Sequence, residues 1–120
     1  MKKRILVIDD NHVIRDLLNN FFTLNGYVVQ EQGECQSLLN AQDELFNFDV
    51  LIIDYDMPMI NGADFVKKIR HLYPQLLIIG MSSFEEASKY FLEAGVNFFL
   101  LKPFNIFEIL NIINKYTKNT

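Results

Sequence analysis

"LIIDYDMP", residues 51–58, is a continuous apolar run, Leu51-Ile52-Ile53, that stops at Asp54. A second acid, Asp56, follows two residues later, and Pro58 then forbids further sheet pairing. Apolar residues in unbroken succession, rather than alternating with polar ones, mark a strand covered on both faces. The stretch therefore brings a carboxylate to the very end of a buried strand, and the rest of the chain has to supply the reason.

Working outward, four more runs resemble it. "RILVI" (4–8), "YVVQ" (27–30), "LLIIGM" (76–81) and "FFLL" (98–101) join "DVLII" (49–53) as five expected strands. Helical spacing fills the gaps. Ile14, Leu17, Leu18, Phe21 and Leu24 recur on one stripe, with Gly26 suited to the C-terminal cap. Residues 34–45 give a weaker helix with Leu38 and Leu39 inward. Phe65, Val66, Ile69 and Leu72 mark a helix ended by Pro74, and Ala87, Tyr90, Phe91 and Ala94 mark a short one capped by Gly95. Asn105 followed by Glu108 resembles a capping box that starts a last helix through Ile109, Leu110 and Ile113.

Strand and helix alternate five times, which requires crossover connections and a parallel sheet with helices on both faces. The natural arrangement is a flavodoxin-like, doubly wound (βα)5 α/β domain with strand order 2-1-3-4-5, spanning residues 1–120 as one unit. In such a sheet every strand C-terminus lies on one edge. Asp9 and Asp10 follow the first strand, Asp54 the third, Ser82 the fourth and Lys102 the fifth. Strands one and three are neighbours, so three carboxylates meet where ligands of open α/β sheets bind. Clustered carboxylates repel unless cations compensate. Lys102 supplies one positive charge, and a divalent ion would supply two more. Carboxylates, a carbonyl and waters suit Mg²⁺. A metal beside Asp54 also suits phosphoryl transfer, in which a carboxylate can be the nucleophile.

The composition is compatible with this. At 120 residues, half of them hydrophobic, the chain is long enough for one sizeable core and too apolar for disorder. The apolar runs are too short to span a bilayer. Asp9 and Asp10 interrupt the apolar stretch after the basic start, so no signal peptide is read and a cytoplasmic location is expected. The formal charge of −4, with no basic stripe, argues against direct nucleic-acid binding. Cys35 is the only cysteine, which excludes an intrachain disulfide, and it is read as a small core or surface residue rather than a redox group. His12 and His71 have no ligand-type neighbours and receive no role. The terminal "NKYTKNT" is polar and expected to fray.

"VIDDN" (7–11), "LIIDYDMPMING" (51–62), "GMSS" (80–83) and "LLKPF" (100–104) occur in order, each where a strand ends. With these four motifs the chain resembles, over essentially its whole length, a response-regulator receiver domain of bacterial two-component signalling, of the single-domain chemotaxis or sporulation type. The resemblance implies Asp54 as phosphoacceptor, with Asp9 and Asp10 holding Mg²⁺ (Mn²⁺ can substitute) together with Asp54 and the backbone carbonyl of Asp56. It implies Ser82 as the switch hydroxyl and Lys102 as the phosphoryl contact, with a cis Lys102–Pro103 bond aiming the ammonium. Gly62 would open the loop to the third helix. Phe99 stands where the family often has tyrosine, and with no hydroxyl to tether it outside it is expected further inward.

The implied role is a signalling switch rather than an enzyme with separate turnover. A sensor histidine kinase or His-phosphotransfer protein would phosphorylate it. The fourth helix, fifth strand and fifth helix would face a downstream protein, with a monomer or a weak phosphorylation-dependent dimer as the assembly. The stretch from Ser82 to Lys102 is slightly short for the family, so the fourth helix is expected to be cut down or mobile. Each residue also has a plain structural reading: Asp9, Asp10 or Asn11 as a helix cap, Ser82 as a small strand-end residue, Lys102 as a solvated lysine and Asp56 as a turn residue. Two other functions remain. "DYDMP" resembles the Asp-x-Asp of haloacid-dehalogenase-like phosphatases, but Pro58 stands where that motif wants Thr or Val. A receiver-like scaffold that is never phosphorylated would normally lack an acid or the lysine, and this chain keeps them all.

Overall fold

The computed structural model describes residues 2–117. Five parallel strands, β1 (Arg4–Ile8), β2 (Val28–Gln32), β3 (Val50–Asp54), β4 (Leu77–Ser82) and β5 (Phe98–Leu101), form one sheet in the order β2-β1-β3-β4-β5. Four α-helices accompany them: α1 (His12–Leu24), α2 (Gly62–Ile69), α3 (Ala87–Ala94) and α4 (Ile106–Thr117). The strand order is the expected one, and each strand lies within a residue or two of its expected span.

Strand alternation divides the core between the two faces. Ile5, Val7, Val50, Ile52, Ile79 and Met81 point to the side covered by α1 and α4, where Leu18, Phe22, Ile109 and Ile113 meet them. Leu6, Ile8, Leu51, Ile53 and Ile78 point to the other side, against Phe65, Val66 and Ile69 of α2 and Phe91 of α3. All five residues of β3 are buried, which accounts for the uninterrupted apolar run before Asp54. Gly80 in β4 is required by a close approach: a Cβ there would lie 2.7 Å from the Phe91 ring, which lies over that strand.

Three local expectations are corrected. Residues 34–45 do not form an α-helix. Two 3₁₀ turns, Gln36–Leu39 and Gln42–Asn47, occupy the crossover, with Leu38 and Leu45 as their buried anchors. Glu34 holds the start of the first turn, its carboxylate accepting from both the amide and the hydroxyl of Ser37, each at 2.8 Å. In α1 the buried positions are Leu18 and Phe22, while Leu17 and Leu24 face out. At the end of the chain, residues 114–117 continue α4 rather than fraying, and 118–120 lie outside the described residues. The short fourth-repeat helix is as expected: α3 has eight residues and ends on Gly95 in the left-handed region. Among the described residues no helix is long and apolar enough to cross a membrane.

Candidate functional site

β1 ends one residue before Asp9, and β3 ends on Asp54. The two strands pair in parallel, with Ile8 opposite Ile53, so the two carboxylates come out side by side. Both are taken from water: Asp9 is fully buried and Asp54 is 3% exposed. Asp10 turns outward and is exposed, yet one oxygen of each of the three carboxylates lies within 4.8 Å of the others. Lys102, at the end of β5, reaches across to both buried acids, with Nζ 2.8 Å from Asp54 Oδ1 and 3.0 Å from Asp9 Oδ2. Its peptide bond to Pro103 is cis.

The remaining oxygens are held by backbone. Asn11 N donates to Asp9 Oδ1 at 2.9 Å, and Asp56 N donates to Asp54 Oδ2 at 3.0 Å. The Asp56 side chain is exposed. Ser82 is the last residue of β4, fully buried, and its Oγ accepts from Phe84 N at 3.0 Å. Phe99 is not part of this cluster. It is half-buried in the α2–α3 core, 6.1 Å centroid to centroid from Phe91. His12 and His71 are exposed, and Cys35 is buried with its thiol donating to the Ile60 carbonyl at 3.4 Å.

The charges govern the chemistry. Burial pushes the Asp54 carboxyl up to about 6, and the neighbouring Asp9 carboxylate adds to this, against the opposing hydrogen bond and charge of Lys102. Burial alone would lower the Lys102 ammonium, but its hydrogen bonds to Asp54 and Asp9 outweigh that and hold it above the usual lysine value. One lysine thus faces three acids. The surplus of hard oxygen donors at one point fits a small divalent cation such as Mg²⁺. Asp9, Asp10 and Asp54 are the side chains that would hold it.

The four sequence motifs converge on this edge, and two supporting residues join them: Asn11, one of the expected helix caps, and Arg15, which no motif marks. Asn11 is the N-cap of α1, its side chain accepting from Val13 N and Ile14 N. Arg15 donates from Nη1 to the Asp9 backbone oxygen at 2.6 Å. A basic residue one turn into the helix after the acids is the only signal of it in the sequence.

Comparison with known proteins adds the family. A family model of the response regulator receiver domain matches residues 5–114. The chain belongs to the response regulator receiver domain family. The chemotaxis protein CheY of Thermotoga maritima is 30% identical over 98% of this chain and all of its own length. A two-component response regulator of Arabidopsis thaliana, number 24, is 32% identical over 95% of this chain and 84% of its own. Among solved structures, the chemotaxis regulator CheY4 of Vibrio cholerae superposes with a TM-score of 0.84 at 27% identity, covering 97% of this chain and 99% of that one. A CheY-like receiver domain from Methanospirillum hungatei gives 0.87 at 26% identity, with both chains fully covered. Receivers of this family are aspartate phosphoacceptors in two-component signalling, and they generally bind Mg²⁺ in an acidic pocket.

Proposed function

We propose that residues 1–120 act as one receiver unit that takes a phosphoryl group on Asp54, assisted by Mg²⁺, and uses it to switch a protein-binding face. The observation that carries this reading is the buried Asp54 carboxylate held between the Lys102 ammonium and the two acids of the β1 end. In the transfer, an Asp54 oxygen forms the new bond to phosphorus while the phosphorus bond to the donor breaks. With a phosphohistidine donor, from a sensor kinase or phosphotransfer protein, the leaving group is an imidazole, which takes up a proton. Asp54 must be ionised to attack, and a carboxyl with a pKa near 6 is mostly ionised at neutral pH.

The metal-holding residues would be Asp9, Asp10, Asp54 and the Asp56 carbonyl, and the ion would offset charge on the equatorial oxygens. Lys102 would exchange part of its pairing with Asp54 for a phosphoryl oxygen. The Asp56 amide already aims at the acceptor carboxylate, which supports its use as a further donor. Ser82 Oγ accepts from a backbone amide here, leaving its hydroxyl proton available to donate to a phosphoryl oxygen. Hydrolysis by water would return the carboxylate and inorganic phosphate, so the chain turns over its own modification rather than a separate substrate.

The switch would run from Ser82 through the loop after β4 to α3, β5 and α4. Phe99 is already half-buried against Phe91, which suggests a smaller inward excursion than a tyrosine tethered outside would make. Beryllofluoride with Mg²⁺, a phosphoryl mimic, tests this by amide chemical shifts. Residues 82–110 should shift together with those around Asp54, and the response should vanish in Asp54→Asn. Shifts confined to the acidic edge would favour a receiver that binds phosphate without switching this face. Rapid turnover of a generic phosphate ester would favour the phosphatase reading instead.

A further inference from the structure

We infer that Arg15 is a positioning residue for the metal-binding edge and that Glu31 couples the edge strand β2 to it. The inference rests on the reading of Asp9 and Asp10 as Mg²⁺ ligands. Asp9 N donates to the Gln32 carbonyl at 3.1 Å, Asp9 Oδ1 accepts from Asn11 N, and Asp9 Oδ2 accepts from Lys102. That leaves the Asp9 backbone oxygen, carried past the end of β1 in a fully buried residue. Arg15 Nη1 donates to it at 2.6 Å, a short charge-assisted bond.

This oxygen belongs to the peptide unit joining Asp9 to Asp10. A peptide unit is planar, so holding its oxygen fixes the Asp9 ψ and the Asp10 φ together. One guanidinium therefore sets the relative aim of a buried carboxylate and an exposed one. Arg15 is itself anchored. Its Nε lies 3.4 Å from Glu31 Oε1, Asn19 Nδ2 donates to Glu31 Oε2 at 2.6 Å, and Thr23 Oγ1 donates to Asn19 Oδ1 at 2.9 Å. β2 places none of the proposed ligands at the site. Through Glu31 it nevertheless bears on the site.

Two physical effects of Arg15 have opposite signs, which makes the inference testable. As a mere positive charge near an acidic cluster, Arg15 repels a cation, so its removal would tighten Mg²⁺ binding. As a positioning group, its removal loosens the ligand set, and outer contacts of this kind are worth about tenfold or more in metal affinity. The experiment is calorimetric titration with Mg²⁺, repeated with Mn²⁺ followed by electron paramagnetic resonance, on wild type, Arg15→Met, Arg15→Lys and Glu31→Gln. Thermal melts in chelator serve as the folding control.

Arg15→Met should raise the Mg²⁺ Kd about tenfold. Arg15→Lys keeps the charge but has one ammonium for two partners, so it should fall between wild type and Arg15→Met. Glu31→Gln should weaken binding by a smaller factor in the same direction. A tighter Kd in Arg15→Met, or an unchanged Kd in all three variants whatever their melting temperatures, overturns the inference alone. A wild-type protein that binds neither ion overturns the metal-site reading and the inference with it. Should Arg15→Met not fold, Arg15→Lys and Glu31→Gln still decide the sign.

Discussion

Gly62→Ala is expected to cost about 3 kcal/mol or more of stability, at the upper end of overpacking effects. For a chain of this size that lowers the melting temperature by about 10 °C or more. Gly62 is the first residue of α2, and its amide donates to the Tyr55 carbonyl at 2.9 Å, which draws the helix start against the end of β3. A Cβ there would press on the Asp54 carbonyl oxygen far inside contact distance, and it would also lie 3.1 Å from Phe91 Cζ. The first obstacle is backbone in the central strand, not the end of a flexible side chain, so relief requires moving α2 or the peptide of Asp54 itself. The same substitution should weaken Mg²⁺ binding in whatever fraction remains folded. A melting temperature within about 2 °C of wild type would contradict this packing, since by the same scale it allows less than about 1 kcal/mol.

Asp54→Asn is expected to act in the opposite direction when no metal is present. Burial first, and Asp9 second, raise this carboxyl from the ordinary aspartate value of 3.8 to about 6. Between those values the folded chain holds a proton that the unfolded chain has released. Stability therefore falls as pH rises through roughly 4 to 6, and above that window a constant penalty remains. Its upper limit is about 3 kcal/mol, the free-energy equivalent of that rise in pKa. Asparagine removes the charge but keeps the shape, while Lys102 keeps Asp9 as a partner but loses Asp54. The net gain should be about 1–2 kcal/mol near pH 7.5 in chelator and close to zero at pH 4. Denaturant melts of both proteins at the two pH values measure it. A variant no more stable than wild type at pH 7.5 would mean that the Lys102 pairing offsets the burial of Asp54 in full. Millimolar Mg²⁺ should erase the difference by stabilising only the wild type.

The three inner strands β1, β3 and β4 were legible because both of their faces are covered. "LIIDYDMP" and "LLIIGM" carry no alternation to misread, and the parallel order then follows from the crossovers. The edge cluster was legible for the same reason, since Asp9, Asp54, Ser82 and Lys102 each stop an apolar run at or just beyond its end. The second crossover was not. Leu38, Leu39 and Leu45 have spacings that suit a helix, but the backbone takes two separate 3₁₀ turns there, broken at Asn40 and Ala41, with only Leu38 and Leu45 of the three leucines buried. In α1 the expected stripe was right at Ile14, Leu18 and Phe21, which pack on the core, but it included the outward Leu17 and Leu24 and left out Phe22, because apolar residues cover too much of that helix to define a narrow face. Phe21 is at the rim, edge-on to Phe107 at 5.5 Å, while Phe22 is the core residue. Arg15 could not be placed from spacing alone, because its partner is a backbone oxygen and backbone acceptors leave no mark in a sequence.

The phosphoryl acceptor is the point on which the rest depends. Wild-type protein incubated with acetyl phosphate and Mg²⁺ should gain the mass of one phosphoryl group. Borohydride reduction of the resulting acyl phosphate should then leave a single tagged residue, mapped by peptide sequencing to position 54. Asp54→Asn should gain nothing, and chelator should suppress labelling of the wild type. A tag at Asp9, Asp10 or Asp56, or labelling of Asp54→Asn equal to that of the wild type, would contradict the assignment of Asp54.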